Sequence, residues 1–178
     1  MSIEIEGLDS LNRKLGALAD RVIEQEMEKA VGRQAKMVQG KAKLLCPVND
    51  GELRNSIKTL VERREDHITG IVYTNKKHAP YVEFGTGPKG EADHDGIAPD
   101  IAVAYSQKPW WVHESQVDKE TAEQYHWFKL ETKDGIFYQC SGQAAQPYMY
   151  PALKDNEKTA VKNMGKYLAK KIREEVKK

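Results

Sequence analysis

The chain has 178 residues, 39% hydrophobic and 31% charged, with a net charge of +1 at pH 7. This length suits a single domain spanning 1–178. A charge so near zero excludes a global field that recruits nucleic acid, and no run approaches the ~18 apolar residues of a membrane helix.

The acidic start, MSIEIEGLDS, lacks the basic-then-apolar pattern of a signal peptide. The expectation is a protein kept in the cytoplasm where it is made, with no membrane partner. Cys46 and Cys140 stand far apart and outside any C-x-x-C. In a reducing compartment they are expected to be free thiols.

In chain order, Leu8, Leu11, Leu15 and Leu18 recur at spacings of three and four, which predicts a short amphipathic helix. From about Asp20 the period resumes through Val22, Ile23, Met27, Ala30, Val31, Val38, Ala42 and Leu45. This predicts a long helix ending before Pro47. Its basic residues, Lys29, Arg33, Lys36 and Lys43, fall mostly on the other side. At ~1.5 Å per residue such a helix spans roughly 37 Å, long enough for part of it to meet a neighbouring subunit.

PVNDGELRNS, 47–56, reads as a turn and a short element, because Gly51 accepts positive φ after Asn-Asp. IKTLVER and HITGIVYTN alternate and predict a hairpin turning near Arg64–Asp66. The stretch from 86 to 109 has no steady period and reads as a long loop or insertion, with a mobile tip at Glu91–Asp100 and an anchor at Trp110 and Trp111. KPWWVHE, HWFKLET and DGIFYQCSG read as short strands. Trp110, Trp111, Tyr125, Trp127 and Phe128 read as core or interface anchors rather than base-stacking platforms. A last helix is predicted from about Ala152 to Glu175, with Leu153, Ala160, Val161, Met164, Leu168 and Ile172 on one face.

APYVEFGTGPKG, 79–90, contains a G-x-G-x-x-G in Gly85, Gly87 and Gly90. A dinucleotide loop needs a strand running in and a helix running out. YVEF is a poor strand, Pro88 removes an N–H from the cradle, and EADHDGIAPD carries no helical period. The favoured reading is a short helix closed by a glycine turn, with Tyr81, Val82 and Phe84 in the core. No cofactor is expected. His94 and His113 lack partners at zinc spacing, and Asp93-x-Asp95-Gly96 does not complete a calcium loop, so no metal is expected either. A pair of Cys46 or Cys140 with His78, His113 or His126 is weighed as a nucleophile and set below an inert-thiol reading.

The order of these pieces resembles the small neck or tail-completion family of long-tailed DNA phages and prophages, minor tail components at the head–tail connection. One block is Pro47, Val48, Asn49, Asp50 and Gly51, then Leu53, Arg54, Ser56 and Ile57. A second is Tyr81, Val82, Glu83, Phe84, Gly85 and Thr86, followed by Gly87. A third is Gln146, Pro147 and Tyr148, then Pro151, Ala152 and Leu153. The resemblance covers about 1–88 and 134–178 and leaves an insertion at 88–133.

The resemblance implies an α+β fold, an antiparallel sheet packed by the long N-terminal helix and the C-terminal helix. It implies a structural protein of the virion, assembled in the host cytoplasm and not an enzyme. The implied partners are further copies in a ring, six-fold by family expectation, and the connector and tail proteins. Weak contact with DNA in transit would fall on Lys154, Lys158, Lys162, Lys166 and Lys170, or on Lys29, Arg33 and Lys36. The alternatives are a small metal-dependent hydrolase or nuclease and a non-specific DNA-binding module.

Overall fold

A computed structural model describes residues 25–177 together with Arg13 and Gly16. The leucine helix at 8–18 and the apolar positions Val22 and Ile23 lie otherwise outside the described residues. The fold is α+β, with antiparallel sheets and long helices towards both ends.

Helix α1, Met27–Leu45, buries Ala30, Ala35, Val38 and Ala42, a stripe at helical spacing. It ends because Cys46 is extended (φ −61°, ψ 124°), as the residue before a proline prefers. Leu45, expected on the buried face, is exposed instead. The chain turns through Gly51, left-handed at φ 81°, into α2, Glu52–Ser56. Strands β1, Lys58–Arg63, and β2, Ile68–Tyr73, then form the expected hairpin, with Arg63 opposite Ile68 and Lys58 opposite Tyr73.

Glycines let α1 lie close on the hairpin. A Cβ on Gly70 would sit 2.9 Å from Val31 and 3.2 Å from Ala35, and one on Gly32 would sit 3.4 Å from Val61. Two short helices follow, α3, Ala79–Phe84, and α4, Gly87–Ala92.

The 88–133 region contains the two strands expected in KPWWVHE and HWFKLET, and two short helices that were not expected. It holds most of α4, then β3, Trp110–His113, helix α5, Lys119–Gln124, and β4, Phe128–Thr132. Strand β5, Gly135–Cys140, completes a three-stranded antiparallel sheet in the order β3-β5-β4. Asp118 caps α5 by accepting the Thr121 N–H at 2.7 Å. Lack of hydrophobic period hid α5, whose one buried residue is Ala122.

Two long-range bonds border the Glu91–Asp100 tip, one at Asp93 and one beyond its end at Tyr105. The Tyr105 hydroxyl donates to the Phe84 carbonyl at 2.8 Å, and the Ala145 N–H donates to the Asp93 carbonyl at 2.9 Å. The aromatic residues form two separate pairs, Trp111 with Phe128 and Tyr125 with Trp127. Neither pair sits in the core, and Phe128 is 63% exposed.

The predicted C-terminal helix is two. Helix α6, Met149–Lys154, stops at Asp155, and α7, Glu157–Val176, begins after Asn156. The Asn156 side chain donates to the Ala152 carbonyl and so closes α6. Leu153, Val161 and Ile172 are exposed, so only part of the expected apolar face packs. Helix α7 rests against the start of α1. Tyr167 donates its hydroxyl to Glu26, and the Arg33 guanidinium lies 4.3 Å from the Tyr167 ring centre. Hydrogen bonds from Lys29 and Tyr167 hold the Glu26 carboxyl below its ordinary range.

Candidate functional site

The core gathers Val38, Ala42, Cys46, Leu53, Ile57, Ala79, Tyr148 and Ala152. It joins all three motif blocks: Leu53 and Ile57 from the first, Tyr148 and Ala152 from the third, with Val82 of the second packed against it. At its edge lies one buried acid. Glu83 is 6% exposed. One carboxylate oxygen accepts the N–H groups of Tyr148 and Met149 at 2.8 and 2.9 Å, and the other accepts the Tyr150 N–H at 2.9 Å.

These N–H groups open α6, whose own N-cap residue, Tyr148, makes no capping bond. Glu83 therefore caps a helix some 65 residues further on. The first N–H groups of a helix have no partner within it, and an anion there meets both donors and the helix dipole. Sequence reading expected Tyr81, Val82 and Phe84 in the core and named Glu83 as a motif residue without giving it a capping role. Tyr81 is in fact 59% exposed, while Val82 and Phe84 are half-buried. The signal was available in Gln-Pro-Tyr-Met-Tyr-Pro, a helix start with no serine, threonine, aspartate or asparagine to cap it.

The glycines of the second block serve close backbone approach. Gly85 ends α3 at φ 75°, as the glycine-turn reading requires. A Cβ there would lie 2.8 Å from the Ala145 nitrogen and the Gln143 oxygen. Gly87, at φ 61°, would meet Trp110 and the Ser141 carbonyl. Between them Thr86 pairs with Gln143, N–H to carbonyl at 2.9 Å and in return at 3.1 Å. Gly90 packs on Gly85 and the Gln143 carbonyl. The space a pyrophosphate would need is filled by the chain's own backbone, and a helix rather than a strand enters the motif.

The remaining motif residues are structural. Ser56 donates to the Leu53 carbonyl at 2.7 Å and meets the Thr74 hydroxyl at 2.5 Å. Pro47, Pro147 and Pro151 are half-buried. The Gln146 N–H donates to the Val82 carbonyl at 2.8 Å, although its side chain is exposed. Ala152 is fully buried, and Leu153, beside it, is 58% exposed.

That exposed leucine opens onto an apolar groove of about 810 Å³ between α1, β2, α6 and α7. The candidate basic residues lie elsewhere. Lys154 pairs with Glu157 at 3.3 Å, Lys170 with Glu174 at 3.8 Å and Lys29 with Glu26 at 2.9 Å. Lys158, Lys162 and Lys166 are exposed on α7 and carry no ion pair among the described residues, and Lys36 is exposed on α1. The stripe is thus three open charges flanked by two paired ones.

Among the described residues no three His, Cys, Asp or Glu side chains gather to hold a metal. His94 hydrogen-bonds the Gly90 carbonyl and stacks on Tyr105, while His113 bonds Ser115. Both free cysteines are buried. Burial pushes the Cys46 thiol up, against a lowering pull from Arg54, and Glu83 pushes it further. A nucleophilic thiol needs the opposite shift.

Neither a curated protein nor a solved structure matches the chain. Residues 9–85 match the HK97-gp10-like family model, described as "Bacteriophage HK97-gp10, putative tail-component". The match ends at Gly85, so it takes in α1, the hairpin and α3 but not the third block. Over residues 9–85 the chain is thus similar to HK97-gp10-like putative phage tail components, consistent with the resemblance drawn from the first two motif blocks.

Proposed function

We propose that the protein is a structural component of the head–tail junction of a tailed phage or prophage, self-associating as a ring between connector and tail. The observation that carries this reading is the tail-component match over 9–85. That span supplies the long helix and a two-stranded hairpin. Two strands with open edges are marginal alone and offer templates for pairing, which suits a subunit completed by its neighbours. The virion is the proposed location, reached after assembly in the host cytoplasm.

Lys158, Lys162 and Lys166 support a second feature, a face that tolerates passing DNA. Lysine is a flexible, strongly hydrated point charge and gives loose, salt-sensitive contact. Electron microscopy of particles from a gene deletion is expected to show heads and tails unjoined. Joined particles without this protein would sink the junction reading. Reversing all three lysines to glutamate is expected to leave joining intact and reduce DNA delivery at least ~10-fold. Lost joining with a folded subunit would make the stripe a docking surface instead, and no change would make it a solvated face.

A further inference from the structure

The groove has walls of Val31, Ala35 and Val38 from α1, Met149 and Leu153 from α6, and Met164 from α7. A contiguous apolar cleft of this size marks an interaction site. Ala98 and Ile101 line it from the insertion. The segment 91–100 beside them carries Glu91, Asp93, Asp95 and Asp100 with no lysine or arginine, and all four acids are exposed. This side of the groove is apolar within and acidic without. On the other side Lys154 is paired with Glu157. Lys158 and Lys162 stand two residues either side of Ala160, a lining residue, which turns them to the far side of α7.

The end of α1 has the complementary character. Leu44 is 72% exposed, more than any other large hydrophobic side chain among the described residues, and Leu45 and Val48 beside it are exposed too. At ~100° per residue Leu44 comes round to the side of α1 opposite Ala35, so it faces away from the groove of its own chain. One turn earlier Gly40 is bare, and a Cβ there would find no atom within 4 Å. A neighbour can therefore come close to the helix backbone beside Leu44. Lys36 and Lys41 are exposed along this face, and from Lys29 to Asn49 the chain has no acid. The projection is apolar at its tip and basic around it, matching the groove in hydrophobicity and opposing it in charge.

We infer that Leu44, Leu45 and Val48 of one copy dock in the apolar groove of the next, with Lys36 and Lys41 against the acidic segment 91–100 of that neighbour. The inference rests on the self-association proposed above and names the two surfaces that make it. They are different patches of one chain, so the contact is head-to-tail and closes into a ring when the rotation permits. Apolar anchors in a pocket supply the affinity, and opposite charge at the rim sets encounter and orientation.

Two full-length chains, each damaged on one side only, test the contact. One carries Leu44→Asp and Val48→Asp, the other Ile101→Asp and Leu153→Asp. All four positions are exposed, so both chains are expected to melt like the parent. In analytical ultracentrifugation each alone is expected to stay monomeric up to ~100-fold above the concentration at which the parent associates. Mixed, the intact projection of one and the intact groove of the other are expected to give a 1:1 dimer and nothing larger. If only one variant falls apart, its surface meets something other than the proposed partner, and the inference fails. If both fall apart and the mixture stays monomeric, the two surfaces do not meet, and it fails again. If both assemble like the parent, the inference fails and the ring stands on other contacts. A parent monomeric at every concentration would overturn the self-association and the inference together. Charge gives an independent check. Lys36→Glu with Lys41→Glu is expected to weaken association about 10-fold, and adding Asp95→Lys with Asp100→Lys to the same chain is expected to restore it. No restoration would overturn the pairing with segment 91–100.

Discussion

Glu83→Ala is expected to lower folding stability by about 4 kcal/mol, because it leaves buried N–H donors without acceptors and opens a cavity. Three donors lose their partner, those of Tyr148, Met149 and Tyr150. Glu83→Gln keeps the volume but offers one acceptor oxygen in place of two and turns an N–H donor towards donors. Its expected cost is about 2 kcal/mol, since hydrogen bonds to a charged acceptor exceed neutral ones. Urea denaturation of the three proteins measures both values. A glutamine variant within 0.5 kcal/mol of the parent (the usual scatter of surface substitutions) would mean that the carboxylate is not what holds α6 in place.

The second large effect belongs to Gly142→Ala. Gly142 has φ 82°, where an L side chain costs roughly 1–2 kcal/mol. Space adds more, because a Cβ there would run into the Thr86 carbonyl. Thr86 cannot give way cheaply, being bonded to Gln143 in both directions. The expected total is a loss of about 3 kcal/mol or more. Two controls separate the causes. Gly96 shares the conformation at φ 79° but would meet only Pro147, at 3.3 Å, so Gly96→Ala should cost about 1 kcal/mol. Gly165 lies inside α7 with nothing within 4 Å, and Gly165→Ala should stabilise by up to about 1 kcal/mol. Equal melting of the Gly142 and Gly96 variants would show that backbone approach at Thr86 adds nothing.

Elements with one dominant local signal were legible. The hairpin follows from alternation in 57–75, the end of α1 from Pro47, and the end of α3 from Gly85. Each depends on a neighbour in sequence. Of the Glu83 cap only the vacancy was legible, as a helix start at 146–151 without a capping residue; that Glu83 fills it was not, because it lies more than 60 residues away. The same holds for Gly142, whose constraint is the Thr86 carbonyl across the chain. Asn156 followed by Glu157 was a readable helix start that the continuing apolar period concealed. The exposure of Leu153 and Val161 was hidden for another reason. Periodicity identifies an apolar face and says nothing of what covers it, and here the face outruns the single body that α7 touches.

The bonds from Glu83 to residues 148–150 also set the order in which the chain can mature on the ribosome. Synthesis runs from the N-terminus at ~5–20 residues per second, and segments fold as their partners emerge. Residues 25–85 contain α1, the hairpin and α3, yet the core they form lacks Tyr148 and Ala152 until the last segment leaves the exit tunnel. The cap closes a loop of about 65 residues, a late and slow event for a small domain. The β3-β5-β4 sheet, whose β4 and β5 form a local hairpin, needs no such late partner to pair its strands. Chains truncated before the third block are expected to leave that core open to proteases, which limited proteolysis would show.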